Sequence, residues 1–106
     1  NPRYSCALET KQTTSNSIPF ICVEQHQLDY GLAIKSDKGT LIRVQGTNGE
    51  PDYIYCRNMP AYIVIKYPKS FHLIDVETFI KERDSSKRRS LTEDRAKDIS
   101  TVSVEL

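Results

Sequence analysis

The chain has 106 residues, of which 38% are hydrophobic and 27% charged, and its formal net charge is +1. That length bounds one domain with a single modest core, and the composition is that of a globular protein rather than a disordered or fibrous one. No apolar run approaches the roughly 20 residues that cross a bilayer, and no short apolar segment has secretory flanks, so the sequence reads as intracellular, cytoplasmic or at the nucleoid or nucleus, with no membrane partner.

The first strand is expected over residues 4–12, within "YSCALETKQ", and the polar run "QTTSNS" after it reads as a loop. A helix follows at about 23–35, where Val23, Leu28, Leu32 and Ile34 recur at helical spacing. "TLIRVQG" and "DYIYC" flank an Asn-Gly turn signal, which predicts a hairpin over 40–56 with Asn48 and Gly49 near its tip. "AYIVIKY" is apolar on both faces, as a central strand is, and "FHLIDV" is expected to pair with it antiparallel.

A second helix is expected to start at Asp75 or Val76 and run through "ETFIKE". The basic stretch "RDSSKRRS" reads as a loop. Ser90 and Glu93 match a capping box for a third helix, "LTEDRAKDIS", and the tail "TVSVEL" alternates like a last strand. The fold class is therefore mixed α/β of the α+β kind: one domain over residues 1–106, a mixed sheet flanked by helices.

Cys6, Cys22 and Cys56 are odd in number and lack a Cys-x-x-Cys spacing, which favours reduced, mostly buried thiols. His26 and His72 have no partner at a familiar metal spacing, no Gly-x-Ser-x-Gly elbow is present, and no glycine-rich phosphate loop occurs. The chemistry-bearing pattern is Glu9-Thr10-Lys11. Alternation on a strand puts Glu9 and Lys11 on one face, where a carboxylate binds a hard cation and the amine orients water and steadies phosphate charge.

This Glu-x-Lys strand, followed by a polar loop and a helix, resembles the PD-(D/E)XK nuclease superfamily, whose core is restriction-endonuclease-like. The order "LETKQTTSNSIPF" then "VEQHQLDYG" is most similar to the Holliday-junction resolvase branch, with homing and restriction enzymes as further relatives in pattern. "AYIVIKYPKSFHLIDVETFI" looks like the strands and helix that close such domains.

The resemblance implies a Mg²⁺-dependent DNA endonuclease, with Mn²⁺ as a substitute, acting on branched DNA or a specific duplex site. Glu9 is then a metal ligand, Lys11 the water-activating lysine, and Gln12 and Gln27 auxiliary polar groups. The pattern also needs a second acid, and none lies between Asn1 and Glu9. Either it precedes Asn1, so that an N-terminal segment is missing, or Asp52 supplies it across the sheet. Pro51-Asp52 with Val64-Ile65-Lys66 repeats the pattern in degenerate form, valine standing where the acid belongs.

Lys87, Arg88 and Arg89, with Lys35 and Lys38, are the expected phosphate contacts. Tyr53, Tyr55, Tyr62 and Tyr67 fall on neighbouring strands, either as a base-stacking face or as core-rim residues. The resemblance further implies a homodimer or higher symmetric oligomer. The alternative from another class is a non-catalytic nucleic-acid- or protein-binding module, with Glu9 and Lys11 as a plain ion pair.

Overall fold

A computed structural model describes residues 7–106; residues 4–6 of the expected first strand, and Cys6, lie outside them. The architecture is α+β. Strands β1 (Ala7–Gln12), β5 (Ala61–Tyr67), β6 (Ser70–Asp75) and β8 (Val102–Glu105) form a four-stranded sheet in the order β1-β5-β6-β8. β1 runs parallel to β5, while β6 is antiparallel to both β5 and β8. Two smaller ribbons pair β2 (Ser17–Pro19) with β7 (Ser90–Thr92), and β3 (Thr40–Gln45) with β4 (Pro51–Cys56).

Alternation along β5 separates the two faces of the sheet. Ala61, Ile63, Ile65 and Tyr67 are buried and join Ile74 of β6 in the core. The helices α1 (Gln25–Lys35), α2 (Val76–Ser85) and α3 (Glu93–Ile99) cover this face with Leu28, Val76, Phe79 and Ala96. Phe20 meets Phe79 edge-on at 5.7 Å between ring centroids. Burying each large apolar side chain here contributes about 1.5–3 kcal/mol. The opposite face, with Tyr62, Val64, Phe71, Leu73, Val102 and Val104, remains half-exposed or exposed.

Helix α1 starts at Gln25 rather than Val23, because Phe20–Cys22 form a 3₁₀ turn, Val23 packs into the core, and Glu24 has the extended backbone of an N-cap. Within α1, Gly31 allows close approach: a Cβ there would sit 3.1 Å from Val76 Cγ2 and 3.6 Å from Ala61 Cβ. The helix ends into the β3–β4 ribbon. The N–H groups of Asn58 and Met59, on the chain leaving β4, return to the carbonyls of Ser36 and Ile34, at 3.0 and 3.2 Å. Those two bonds satisfy acceptors at the helix C-terminus and fix the base of the ribbon.

Asp75 caps α2 by accepting from the Glu77 N–H at 2.9 Å. The third helix departs from expectation. Its cap is Thr92, whose hydroxyl accepts from the Arg95 N–H, while Ser90 is extended and pairs with Pro19. The sheet pairing of β7 with β2 outweighs the local capping box, because it also places Leu91 in the core, 1% exposed. Cys56 is buried as expected, but Cys22 is exposed. Among the described residues no helix is long and apolar enough to cross a membrane.

Candidate functional site

Register decides where the Glu-x-Lys pair points. In parallel pairing Glu9 lies beside Ile63 and Lys11 beside Ile65, so both polar side chains project to the helix-covered face of the sheet. They avoid full burial because β1 lies at the end of the strand order. The Glu9 side chain is 36% exposed and that of Lys11 23%, and the two meet as an ion pair, Nζ to Oε1, at 3.4 Å.

The N-terminus of α1 supplies the third member. Gln27 Nε2 donates to Glu9 Oε1 at 2.7 Å, while the Oε1 of Gln27 accepts from the Glu24 backbone N–H at 3.0 Å. One amide therefore links the first turn of the helix to the carboxylate on the strand. A cavity of about 300 Å³ opens between them, lined by Glu9, Gln27, Tyr30, Ile34, Ile63 and Val76 among others. Its walls are largely apolar, which strengthens the electrostatics of the groups at its mouth.

Among the described residues both contacts to Glu9 fall on Oε1. Mg²⁺ is bound through one or two carboxylates, with water and phosphate oxygens completing an octahedron. No group of three or more His, Cys, Asp or Glu side chains assembles among the described residues. Among the described residues Glu9 is thus the one carboxylate that the site would offer a hard cation such as Mg²⁺ or Mn²⁺.

The other expected residues divide. Gln12 is in β1 beside Lys66, and alternation turns it to the face opposite Glu9 and Lys11, so it does not join them. Asp52 lies in the separate β3–β4 ribbon, exposed, with its carboxylate accepting from the Tyr53 N–H at 2.8 Å. The ribbon is not hydrogen-bonded into the four-stranded sheet as a neighbour of β1, and the structure does not bring Asp52 to Glu9.

Lys35 is committed elsewhere, 2.7 Å from Asp75 Oδ2 and 3.0 Å from Glu77 Oε1. Burial alone would lower its pKa, but hydrogen bonds and charge from these two carboxylates hold the ammonium above its ordinary value. Lys38 is exposed at the base of the ribbon.

The basic loop sorts into neutralised and unneutralised cations. Arg83 pairs with Asp84 and Arg95 with Glu82, whereas no ion pair among the described residues involves Lys87, Arg88 or Arg89, all three exposed. Arg88 and Arg89 border a surface depression with Glu24 and Gln25, and Arg83 Nη1 donates to Gln25 Oε1 at 2.8 Å. The loop therefore meets the start of α1, within one turn of Gln27.

A second polar cluster was not legible in the sequence. His72, 2% exposed, has Ser70 Oγ 2.9 Å from Nε2 and Ser103 Oγ 2.7 Å from Nδ1. Ser70 in turn donates to Glu93. With its proton given to Glu93, Ser70 accepts from Nε2–H, and Ser103 links Nδ1 onward to the Ser100 hydroxyl. Burial lowers the His72 pKa; Glu93 opposes that shift and Lys97 adds to it. The cluster needs β8 beside β6 and α3 over both, a juxtaposition no local pattern announces.

Comparison with protein-family models, with curated proteins and with solved structures finds no match. The reading of the site rests on its own geometry.

Proposed function

We propose that this chain is a divalent-metal-dependent DNA endonuclease domain of the PD-(D/E)XK type, hydrolysing phosphodiester bonds. The observation that carries the reading is the convergence of Glu9, Lys11 and Gln27 on one side of an end strand, beside an open cavity. The route from β1 through α1 to a parallel β5 agrees with the order that suggested the superfamily.

In this reading Glu9 would hold the metal, with Gln27 fixing its rotamer. A bound Mg²⁺ supplies Lewis acidity at the phosphate and a water of lowered pKa. Lys11, on the same face, donates to the attacking water and to the oxygen that gains charge in the transition state. Arg88 and Arg89 hold flanking phosphates without reading sequence. Lys35, being paired, has no part in this. Branched DNA of the Holliday-junction kind is the substrate that the resemblance favours, with a specific duplex site as the second choice. Cutting both strands calls for two sites, hence a homodimer.

The test is cleavage of supercoiled plasmid and a synthetic four-way junction in Mg²⁺ or EDTA. The expected result is metal-dependent cutting that falls by roughly two orders of magnitude or more in Lys11→Ala. Cutting that survives EDTA removes the metal from the chemistry, and cutting that survives the substitution removes Lys11. Binding of DNA with no cutting of either substrate favours the non-catalytic module, in which the 3.4 Å contact is only an ion pair.

A further inference from the structure

The β3–β4 ribbon has one face that the rest of the chain does not use. Cross-strand partners share a face, so the register sets Leu41 opposite Tyr55, Arg43 opposite Tyr53 and Gln45 opposite Pro51 on one side. All six are exposed, Tyr53 and Tyr55 at 57% each. The other side carries Thr40, Ile42, Val44 and Cys56, which are half-buried or buried, together with Ile54 and Asp52, which are exposed. Exposed aromatic rings in a row on a sheet face are not needed for this packing.

The charges are segregated in the same way. The outer face carries a cation, Arg43, and no carboxylate, because Asp52 is on the inner side opposite Val44. At the ribbon's base the exposed cations Lys38 and Arg57 are accompanied by the exposed carboxylate of Asp37, which accepts from Asn58 Nδ2 at 3.2 Å. The base is held tightly: Gly39 has φ +72°, and a Cβ there would lie 2.4 Å from the Cys56 carbonyl oxygen. The Tyr55 hydroxyl donates to the Lys38 carbonyl, which fixes one ring over the ribbon's base.

The ribbon is also tied to the catalytic cavity. Tyr30 lines that cavity together with Glu9, and its hydroxyl donates to the Leu41 carbonyl of β3 at 2.6 Å.

We infer that the outer face of the β3–β4 ribbon is a subsite for unpaired nucleotides of a DNA strand, with Tyr53 and Tyr55 stacking on bases and Arg43, cross-strand from Tyr53, neutralising an adjacent phosphate. Two rings on alternate positions of a strand stand about 7 Å apart, twice the rise of about 3.4 Å between stacked nucleotides. Every base has a π-face, so such a platform is tolerant of sequence, and Arg43, with no carboxylate on its own face, suits a phosphate. The inference deepens the nuclease reading, since it names single-stranded segments, such as those at a branch point, as what the site meets beside Glu9.

The experiment is fluorescence anisotropy of labelled oligo(dT) and of a blunt duplex of equal length, both in EDTA so that no cutting intervenes. The intact chain is compared with Tyr53→Ala/Tyr55→Ala, Arg43→Ala and Tyr55→Phe. The expected result is an affinity for oligo(dT) about tenfold or more lower in the double variant, with duplex affinity little changed. Tyr55→Phe, which keeps the ring, retains oligo(dT) binding.

Equal oligo(dT) affinity in the double variant and the intact chain overturns the inference. So does self-association of the intact chain that the double variant abolishes while DNA binding stays unchanged, which would make the face a contact between copies. Tyrosine-dependent oligo(dT) binding by a protein that cuts neither plasmid nor junction upholds the subsite while the catalytic reading fails. Melting curves of the variants confirm that the exposed substitutions leave the fold intact.

Discussion

The side-chain amide of Gln27 donates to Glu9 Oε1 at 2.7 Å across the gap between helix α1 and strand β1. Because the same amide accepts from the Glu24 N–H, the capping of the helix and the aim of the carboxylate are one structural fact. Gln27→Ala removes both contacts. Urea unfolding should show a loss of about 1 kcal/mol, with a larger proportional fall in cleavage. Gln27→Glu sets a second carboxylate against Glu9 and disfavours its ionised form, so its metal-dependent cutting should need higher pH than that of the intact chain.

Arg88 and Arg89 are exposed and have no ion-pair partner among the described residues, whereas Arg95 is held by Glu82 through two hydrogen bonds at 2.8 and 3.0 Å. Removing the first two should lower DNA affinity and flatten the dependence of log K on log salt, by about 0.9 for each phosphate that is no longer neutralised. Arg95→Ala should leave the slope unchanged. Binding titrations over a series of salt concentrations distinguish the two.

His72 makes the fold sensitive to acid. Burial is the main reason that its folded pKa lies below the ordinary value, with Lys97 acting in the same direction and Glu93 against it. The unfolded chain therefore binds a proton at His72 more readily than the folded one does. The stability this provides is present above the ordinary histidine pKa of about 6.5 and is lost as pH falls through the folded value. Unfolding free energy measured between pH 7 and pH 5 should decline, and His72→Gln should decline less over the same range.

Asp75 serves two neighbours, capping α2 at the Glu77 N–H and pairing with Lys35. Asp75→Ala should cost about 1–2 kcal/mol, most of it from the cap, because a partly exposed ion pair contributes little. Lys35→Met should change stability slightly and DNA affinity not at all. Denaturant midpoints and anisotropy on the same samples check both statements.

The parts of this fold that were legible in the sequence are those with local causes. The Asn-Gly hairpin, the apolar run of β5 and the cap at Asp75 each announce themselves within a few residues. Glu9, Lys11 and Gln27 were legible as well, since a strand places the first two on one face and the start of a helix places the third.

The rest depends on pairing between distant segments. β2 and β7 are three residues each, too short for a periodic signal, and their union moved the third helix's cap from Ser90 to Thr92. Lys35 looked like a free cation because its partners, Asp75 and Glu77, are remote in the chain. The four strand tyrosines also separate on folding. Tyr67 is buried with its hydroxyl donating to the Leu91 carbonyl, Tyr62 is on the uncovered face of the sheet, and Tyr53 and Tyr55 stay together on the ribbon.

The parallel pairing of β1 with β5 has a consequence for the order in which the molecule is made. β5, its tight turn and β6 form a local hairpin, of a kind that closes within microseconds. β1 must instead close a loop containing α1 and the whole β3–β4 ribbon before it finds its partner. The side-by-side strands that aim Glu9 and Lys11 therefore exist only once α1, the ribbon and β5 have all followed β1 in the chain. Their alignment is a long-range event, whereas the β5–β6 hairpin needs nothing beyond its own turn.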